Sequence, residues 1–285
     1  MISLTKADES SRAALISFLK AHEEYSLFLL GNLEVYGPNL TDELYSGNFK
    51  FIRHKKEIIA VFSLTKGGTL LIYSSQINEP LFELVLQACL EETIPLEGVI
   101  GEWEFCHRFW EFLKGKGLIT KEVYTSKEIL YSADLLQLCF EKEQLVRFLT
   151  PDDINQWLPL RRNYIQEMKF PGGESEEELC KEFQMKVKDK ISWGLFLGDR
   201  LISIADLNAR AFDLGQVGGV YTLPEYRKQG FSTAVMRQLM HDASRIHQIR
   251  KLIIFTGEAN FSARKVYESL GVSPFGHYAL LFGKK

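Results

Sequence analysis

The sequence predicts an α+β protein of two domains built to one plan. Three observations carry this. A chain of 285 residues suits two domains of ordinary size better than one. Short β-patterned runs bounded by turn residues alternate with longer segments of helical spacing. Segments at matching places in that order also resemble one another. Residues 101–115 align without gaps on residues 257–271, with Gly101 on Gly257, Glu102 on Glu258, Phe105 on Phe261, Arg108 on Arg264 and Gly115 on Gly271. Leu4-Thr5 and Leu149-Thr150 each precede an acidic helix start, and E-I-I-A-V-F-S-L parallels R-L-I-S-I-A-D-L. Duplication explains these coincidences better than chance does. The domains are expected at 1–138 and 145–285, joined by a linker in the polar stretch 134–144.

In the first half, residues 2–5 read as a strand, followed by helical segments up to about residue 36. Residues 49–53, 58–64 and 69–74 form a meander. A helix over 80–91, the end of a strand at 98–101, a helix over 104–114 and a strand over 122–131 complete this half. In the second half, residues 146–150 read as a strand. Thr150 caps the helix opened by Pro151, with Asp153 at its third position. A break at Phe170-Pro171-Gly172-Gly173 separates that helix from one over 176–187. Residues 191–197 and 201–208 are strands joined by a hairpin turn at Gly198-Asp199-Arg200. The third strand, 212–223, carries Gly218-Gly219 in its interior, the mark of a bulge or a close backbone approach. A helix over 231–247 turns Val235, Met236, Leu239, Met240, Ala243 and Ile246 to one face. A buried strand at 251–256, a helix over 260–270 stopped by Gly271, and a last strand at 278–282 follow.

Composition excludes several classes. Apolar residues make up 46% of the chain, enough for packed cores, and the net charge of −3 gives no general attraction for nucleic acid or an acidic membrane. The N-terminal stretch lacks a basic n-region and an apolar h-region, so a cytoplasmic location is expected. Cys89, Cys106, Cys139 and Cys180 are scattered with no C-x-x-C pair, which supports neither zinc nor a disulfide framework.

The chemistry concentrates in two motifs. Y-R-K-Q-G-F-S-T-A, residues 226–234, lies between a strand and an amphipathic helix. Helix N-terminal N–H groups bind anions, Gly230 leaves room for close approach, and Arg227 and Lys228 add positive charge. Neither the Walker spacing nor G-x-G-x-x-G is present. The second motif is N-F-S-A-R-K-V-Y-E-S-L-G-V, residues 260–272.

Together these resemble the GNAT superfamily, the Gcn5-related N-acetyltransferases. The family loop [R/Q]-x-x-G-x-[G/A] is matched by Arg227-Lys228-Gln229-Gly230-Phe231-Ser232, with Ser232 in place of Gly or Ala. The later family pattern is matched by Asn260, Ala263, Tyr267 and Gly271, with Phe261 where Pro is frequent and Val272 where Phe is. The resemblance spans about 140 residues, from Val146 onward. It implies mixed, mostly antiparallel sheets flanked by helices, and acetyl-CoA as co-substrate. It also implies that backbone groups of Val220, Tyr221 and Thr222 hold the pantetheine arm. Lys228, Gln229, Gly230, Phe231, Ser232 and Thr233 would wrap the pyrophosphate, with Asn260 near the arm and Tyr267 as acid for the leaving thiolate. The acceptor would be a primary amine of a small molecule or peptide.

The base is open at this level. Glu258 and Asp206 are candidates beside a water chain or a neutral substrate, and Asp213 stands at the start of its strand. His241, His247 and His277 are lone histidines of ordinary structural type. Glu174, Glu176, Glu177 and Glu178 would suit a cationic acceptor, or form only the dipole-favoured first turn of a helix. The first half has Q-I-N-E-P after Ser75, Glu104 at the place of Asn260 and Glu111 at that of Tyr267. It is therefore expected not to bind acetyl-CoA, and instead to support the catalytic half and wall the acceptor site. Two rivals stand beside this reading: an acyl-CoA sensor or scaffold without turnover, and a transferase for longer acyl chains.

Overall fold

The computed structural model describes residues 2–138, 140–169 and 175–285. The chain forms two compact units. Unit 1 comprises Met1–Ile129 and Gly276–Lys285, and unit 2 comprises Leu130–Phe275.

Unit 1 opens with β1 (Ile2–Lys6), α1 (Arg12–Lys20) and α2 (Glu23–Tyr36), then β2 (Gly47–His54), β3 (Glu57–Thr65) and β4 (Thr69–Ser74). α3 (Glu79–Leu90), β5 (Gly98–Glu102), α4 (Trp103–Gly115) and most of β6 (Lys121–Asp134) follow. The strands run β1-β2-β3-β4-β5, antiparallel throughout except for the parallel pair β4–β5. The next strand is not β6 but the end of the chain: β12 (Ser273–Lys284) pairs antiparallel with β5 from Tyr278↔Glu102 to Phe282↔Gly98. The core joins Phe62, Leu64, Leu70 and Ile72 of the sheet to Phe82 and Val85 of α3 and to Phe105, Phe109 and Trp110 of α4. Ala279 and Leu281 of β12 complete it.

Unit 2 repeats the plan. β7 (Val146–Phe148), a 3-10 turn at Pro151–Asp153, α5 (Ile154–Met168), α6 (Glu176–Lys188), β8 (Ser192–Leu197), β9 (Arg200–Ala211) and β10 (Leu214–Thr222) come first. A second 3-10 turn at Pro224–Tyr226, α7 (Phe231–Arg245), β11 (Lys251–Gly257) and α8 (Phe261–Ser269) follow. β7, β8, β9 and β10 are antiparallel neighbours, β10 and β11 are parallel, and β6 lies next to β11. Thr150 and Asp153 form the expected capping box. Trp157, Leu160, Leu179 and Phe183 from α5 and α6 pack on Leu201, Ile204 and Tyr221. α7 packs on β8, β9 and β10.

Three expectations are corrected. Ile246 is 53% exposed, because α7 ends at Arg245 and Ile246 lies beyond its packed face. Phe212 lies in the turn before β10, at φ +53° and 40% exposed, so the third strand starts at Leu214. The last strand is longer than residues 278–282 and leaves unit 2 at Gly276, where the glycine lets the Tyr25 hydroxyl approach in the space of a Cβ. The chain thus changes unit at 129/130 and again at 275/276, rather than once within 138–145. Cys89 and Cys106 are buried free thiols and Cys180 is half-buried, whereas Cys139 and the break at 170–173 lie outside the described residues. Among the described residues no helix is long and apolar enough to cross a membrane, and no cluster of His, Cys, Asp or Glu suits a metal.

Candidate active site

β10 and β11 pair from Leu214↔Lys251 to Val217↔Ile254, and each strand continues beyond that point, to Thr222 and Gly257. Where the pairing ends, β10 bulges. Its register on β9 shifts between Gly218↔Asp206 and Tyr221↔Ile204. Both glycines are required there. Gly219 has φ +61°, and a Cβ would stand 2.5 Å from Asp206 Oδ2. At Gly218 a Cβ would overlap the Asn208 amide. Past the bulge, Leu223 N–H donates to the Ile202 carbonyl at 3.0 Å. Alternation along the strand therefore turns the peptide groups of Val220 and Thr222 to the other edge, toward β11.

Asp206 is fully buried behind the bulge. Its carboxylate accepts from Lys186 Nζ at 2.6 Å and Ser192 Oγ at 2.5 Å. Lys186 also pairs with Glu182 at 2.6 Å, and Glu182 with Arg161 at 2.9 Å. Taking a charge out of water is costly, and this network compensates both partners. It leaves Asp206 as part of the bulge's support.

The loop after β10 has its own geometry. Lys228 (φ +61°) and Gly230 (φ +84°) are left-handed, and open space lies where a Gly230 Cβ would point. Gly230 caps α7 without a side chain. The first bond within α7 is Ala234 N–H to the Gly230 carbonyl at 3.0 Å, so the N–H groups of Phe231, Ser232 and Thr233 precede it. No acidic residue occupies the first turn of α7. Lys228 and Gln229 are exposed. Ser232 Oγ meets Thr222 Oγ1 at 2.8 Å, and Thr222 Oγ1 meets Ser203 Oγ at 2.7 Å, a hydroxyl chain that ties the helix start to β10 and β9.

Arg227 is committed elsewhere. Its Nε donates to the Thr222 carbonyl at 2.9 Å, and Nη2 reaches both oxygens of Glu167 at 2.8 and 3.0 Å. The guanidinium also lies over the Tyr221 ring at 5.2 Å, and the Tyr221 hydroxyl donates to Glu167 at 3.2 Å. Burial, then Glu167, raise the Tyr221 phenol above its ordinary pKa. Arg227 is thus a staple between loop, strand and helix, and Lys228 beside it is exposed.

α8 begins where β11 ends. Asn260 caps it through Oδ1, which accepts Ala263 N–H at 3.2 Å. Glu258 is exposed in the turn between them, and its carbonyl accepts from Arg264 Nη1 at 3.2 Å. Tyr267 is 5% exposed and meets the Tyr131 ring edge-on, with centroids 5.6 Å apart. α7 follows the end of β10, α8 follows the end of β11, and the two helices pack together.

A model for the GNAT acetyltransferase family matches residues 157–272. This part of the chain belongs to that family. The GNAT domain thus contains both motifs and the bulged strand. Solved structures share the whole fold at low identity. A Drosophila protein matches with a TM-score of 0.68 at 15% identity, covering 98% of each chain. A GCN5-related N-acetyltransferase from Sphaerobacter thermophilus matches with 0.62 at 12% identity, covering 99% of this chain and 95% of the other. A tandem GNAT protein of the clavulanic acid biosynthesis pathway matches with 0.59 at 9% identity, covering 100% and 98%. No curated protein sequence matches the chain.

Other candidates of the sequence fall away from the GNAT domain's bulge. His241 Nδ1 meets Asp242 Oδ1 at 2.9 Å, and His247 Nε2 meets the Lys190 carbonyl at 2.9 Å. Burial holds the His247 pKa below its ordinary value. Glu178 closes a capping box with Ser175, Glu177 pairs with Lys181 at 2.6 Å and Glu176 pairs with Arg162. These acids serve their own helix start, and Glu174 lies outside the described residues. Sequence reasoning missed Glu167, Lys186 and Tyr131. None lies in a motif, and only packing brings them to the site.

Proposed function

We propose that the GNAT domain transfers an acetyl group from acetyl-CoA to a primary amine of a small molecule or peptide, by direct attack with both substrates bound. The carrying observation is the bulge at Gly218-Gly219, set where two parallel strands stop pairing and flanked by the starts of α7 and α8. The residues present fit coenzyme A. The amides of Gly230, Phe231, Ser232 and Thr233, with Lys228 beside them, suit a pyrophosphate. The outward peptide groups of Val220 and the outward N–H of Thr222, whose carbonyl already accepts from Arg227, suit the amide-bearing pantetheine arm as an added strand, with Tyr221 between them packed into the core. Asn260, at the start of α8, would contact the arm, and Arg227 and Gln229 would shape the loop.

When bound, acetyl-CoA supplies the activated acyl group. A backbone N–H at the bulge stabilises negative charge developing on the carbonyl oxygen, since a fixed dipole in a water-poor site needs no reorganisation. Tyr267 gives its phenolic proton to the departing thiolate. Glu258 takes the amine proton, directly or through water. Unit 1 does not bind acetyl-CoA in this reading.

The test is a thermal-shift comparison of acetyl-, succinyl- and longer acyl-CoA, joined to an amine-panel screen for CoA release. Acetyl-CoA should give the largest shift, and at least one amine should release CoA. Tyr267→Phe should lower kcat about 100-fold while KM for acetyl-CoA stays within about twofold. Stabilisation by acetyl-CoA without turnover would assign a sensor instead. No shift with any acyl-CoA would sink the cofactor assignment.

A further inference from the structure

We infer that Tyr131, on the strand that ends the first half of the chain, is a positioning residue for Tyr267. The inference rests on the acid role given to Tyr267 above. α8 has nine residues, too few to stand alone in water, so packing must seat it. Tyr267 is its buried residue. Tyr131 belongs to unit 2, although it precedes that unit's other strands in the chain. It is fully buried, and its ring meets Tyr267 at 5.6 Å between centroids and 65° between planes. Edge-to-face aromatic pairs favour one ring orientation over others.

A second contact fixes the direction. Tyr131 Oη donates to Glu268 Oε1 at 2.9 Å, and Glu268 immediately follows Tyr267. Neighbouring residues on a helix point about 100° apart. Tyr131 therefore holds α8 on two bearings, through the ring of one residue and the carboxylate of the next. Arg264 lies one turn back, with Nε 3.9 Å from Glu268. Burial, then Glu268, raise the Tyr131 phenol above its ordinary pKa, so it stays a neutral donor to Glu268. The first half of the chain thereby supplies part of the machinery of the second.

The test uses full-length Tyr131→Phe, Tyr131→Leu, Tyr267→Phe and the Tyr131→Leu/Tyr267→Phe double variant. CoA release from acetyl-CoA is measured with spermidine, ethanolamine and lysine methyl ester as acceptors, alongside the melting temperature of each protein. Tyr131→Leu should lower kcat about 10-fold or more, with KM for acetyl-CoA within about twofold, because a misplaced acid costs rate rather than affinity. Tyr131→Phe keeps the ring contact but loses the bond to Glu268, and its kcat should fall between those of the parent and Tyr131→Leu. Once Tyr267 is Phe, Tyr131→Leu should cost nothing more. Equal losses in both backgrounds would reduce Tyr131 to a packing residue and overturn the inference. A readout without turnover comes from 3-fluorotyrosine at position 267. Its fluorine resonance should move when CoA is added, and Tyr131→Leu should abolish that response while Tyr131→Phe, which retains the ring contact alone, keeps part of it. A resonance that responds normally in Tyr131→Leu also overturns the inference. A protein with the expected resonance behaviour and no turnover loses the acetyl-transfer reading alone.

Discussion

The ends of β4 and β5 in unit 1 and of β10 and β11 in unit 2 occupy the same place in the same topology. They are built for opposite purposes. In unit 1 the pairing ends at Ile72↔Gly101, and the next residues are Tyr73 and Glu102. Tyr73 stacks on His22 at 4.4 Å and on Tyr25 at 6.0 Å, and its hydroxyl meets His22 Nδ1 at 3.0 Å. The Glu102 carboxylate is spent capping α4, accepting the N–H groups of Glu104 and Phe105. The helix after β4 caps itself too. Asn78 Oδ1 accepts Leu81 N–H at 3.0 Å, and Glu79 stands in the first turn. In unit 2 the same positions hold a glycine bulge, a glycine cap without a side chain and no acid in the first turn. A helix start offers an anion only the N–H groups that its own cap leaves over. One shared topology thus yields a filled end and an open one through a handful of side chains.

The comparison breaks most completely if the strand exchange is undone. Deleting residues 276–285 removes β12 from β5, exposes the edge at Gly98–Glu102 and strips Ala279 and Leu281 from the unit 1 core. The loss should fall on unit 1 although both motifs lie in unit 2. Hydrogen exchange should show β4 and β5 losing protection before β8 and β9, and the truncated protein should express mainly as aggregate. Protection lost first in β8 and β9 would contradict the exchange.

A smaller and sharper test makes the open end resemble the filled one. In Gly230→Asp, an aspartate tolerates the left-handed backbone better than most residues, and its carboxylate takes up helix amides and repels phosphate. The apparent Kd for CoA should rise about 30-fold or more, with a melting temperature near the parent's. The reverse change in unit 1, Asn78→Gly, should cost less than about 1 kcal/mol and create no CoA binding, because Glu79 and the aromatic stack remain.

The smallest effect is on pH. Burial lowers the pKa of His22 in unit 1 and of His247 in unit 2 below the ordinary histidine value of about 6.5. As pH falls through that value, the unfolded chain takes up protons before the folded one does. Stability from these residues is therefore full above about 6.5 and declines as pH drops toward their folded values. The urea midpoint should be lower at pH 5.5 than at pH 7.5. His22→Asn should flatten part of that slope, and an unchanged slope in the His22/His247 double variant would refute the assignment.

Much of this was legible in the sequence because it is local. Thr150 and Asp153 specify their capping box within four residues. Gly218-Gly219 declared the bulge, and Gly230 followed by an amphipathic run declared the start of α7. Asn260 was legible as a motif position, although its side chain also caps α8. Arg227 was legible as a cation but not as a staple, since Glu167 lies sixty residues away along the chain.

By itself the sequence determined an α+β architecture, the order of its elements, the glycine bulge and the glycine start of α7. Each follows from residues close together in the chain, through side-chain period, backbone freedom and helix caps. The tertiary structure alone decided that β12 serves unit 1, that β6 ends in unit 2, and that Tyr131 meets Tyr267. A strand's alternation says which face is buried but not which edge it joins, because backbone pairing is the same for every sequence and only packed neighbours choose among edges.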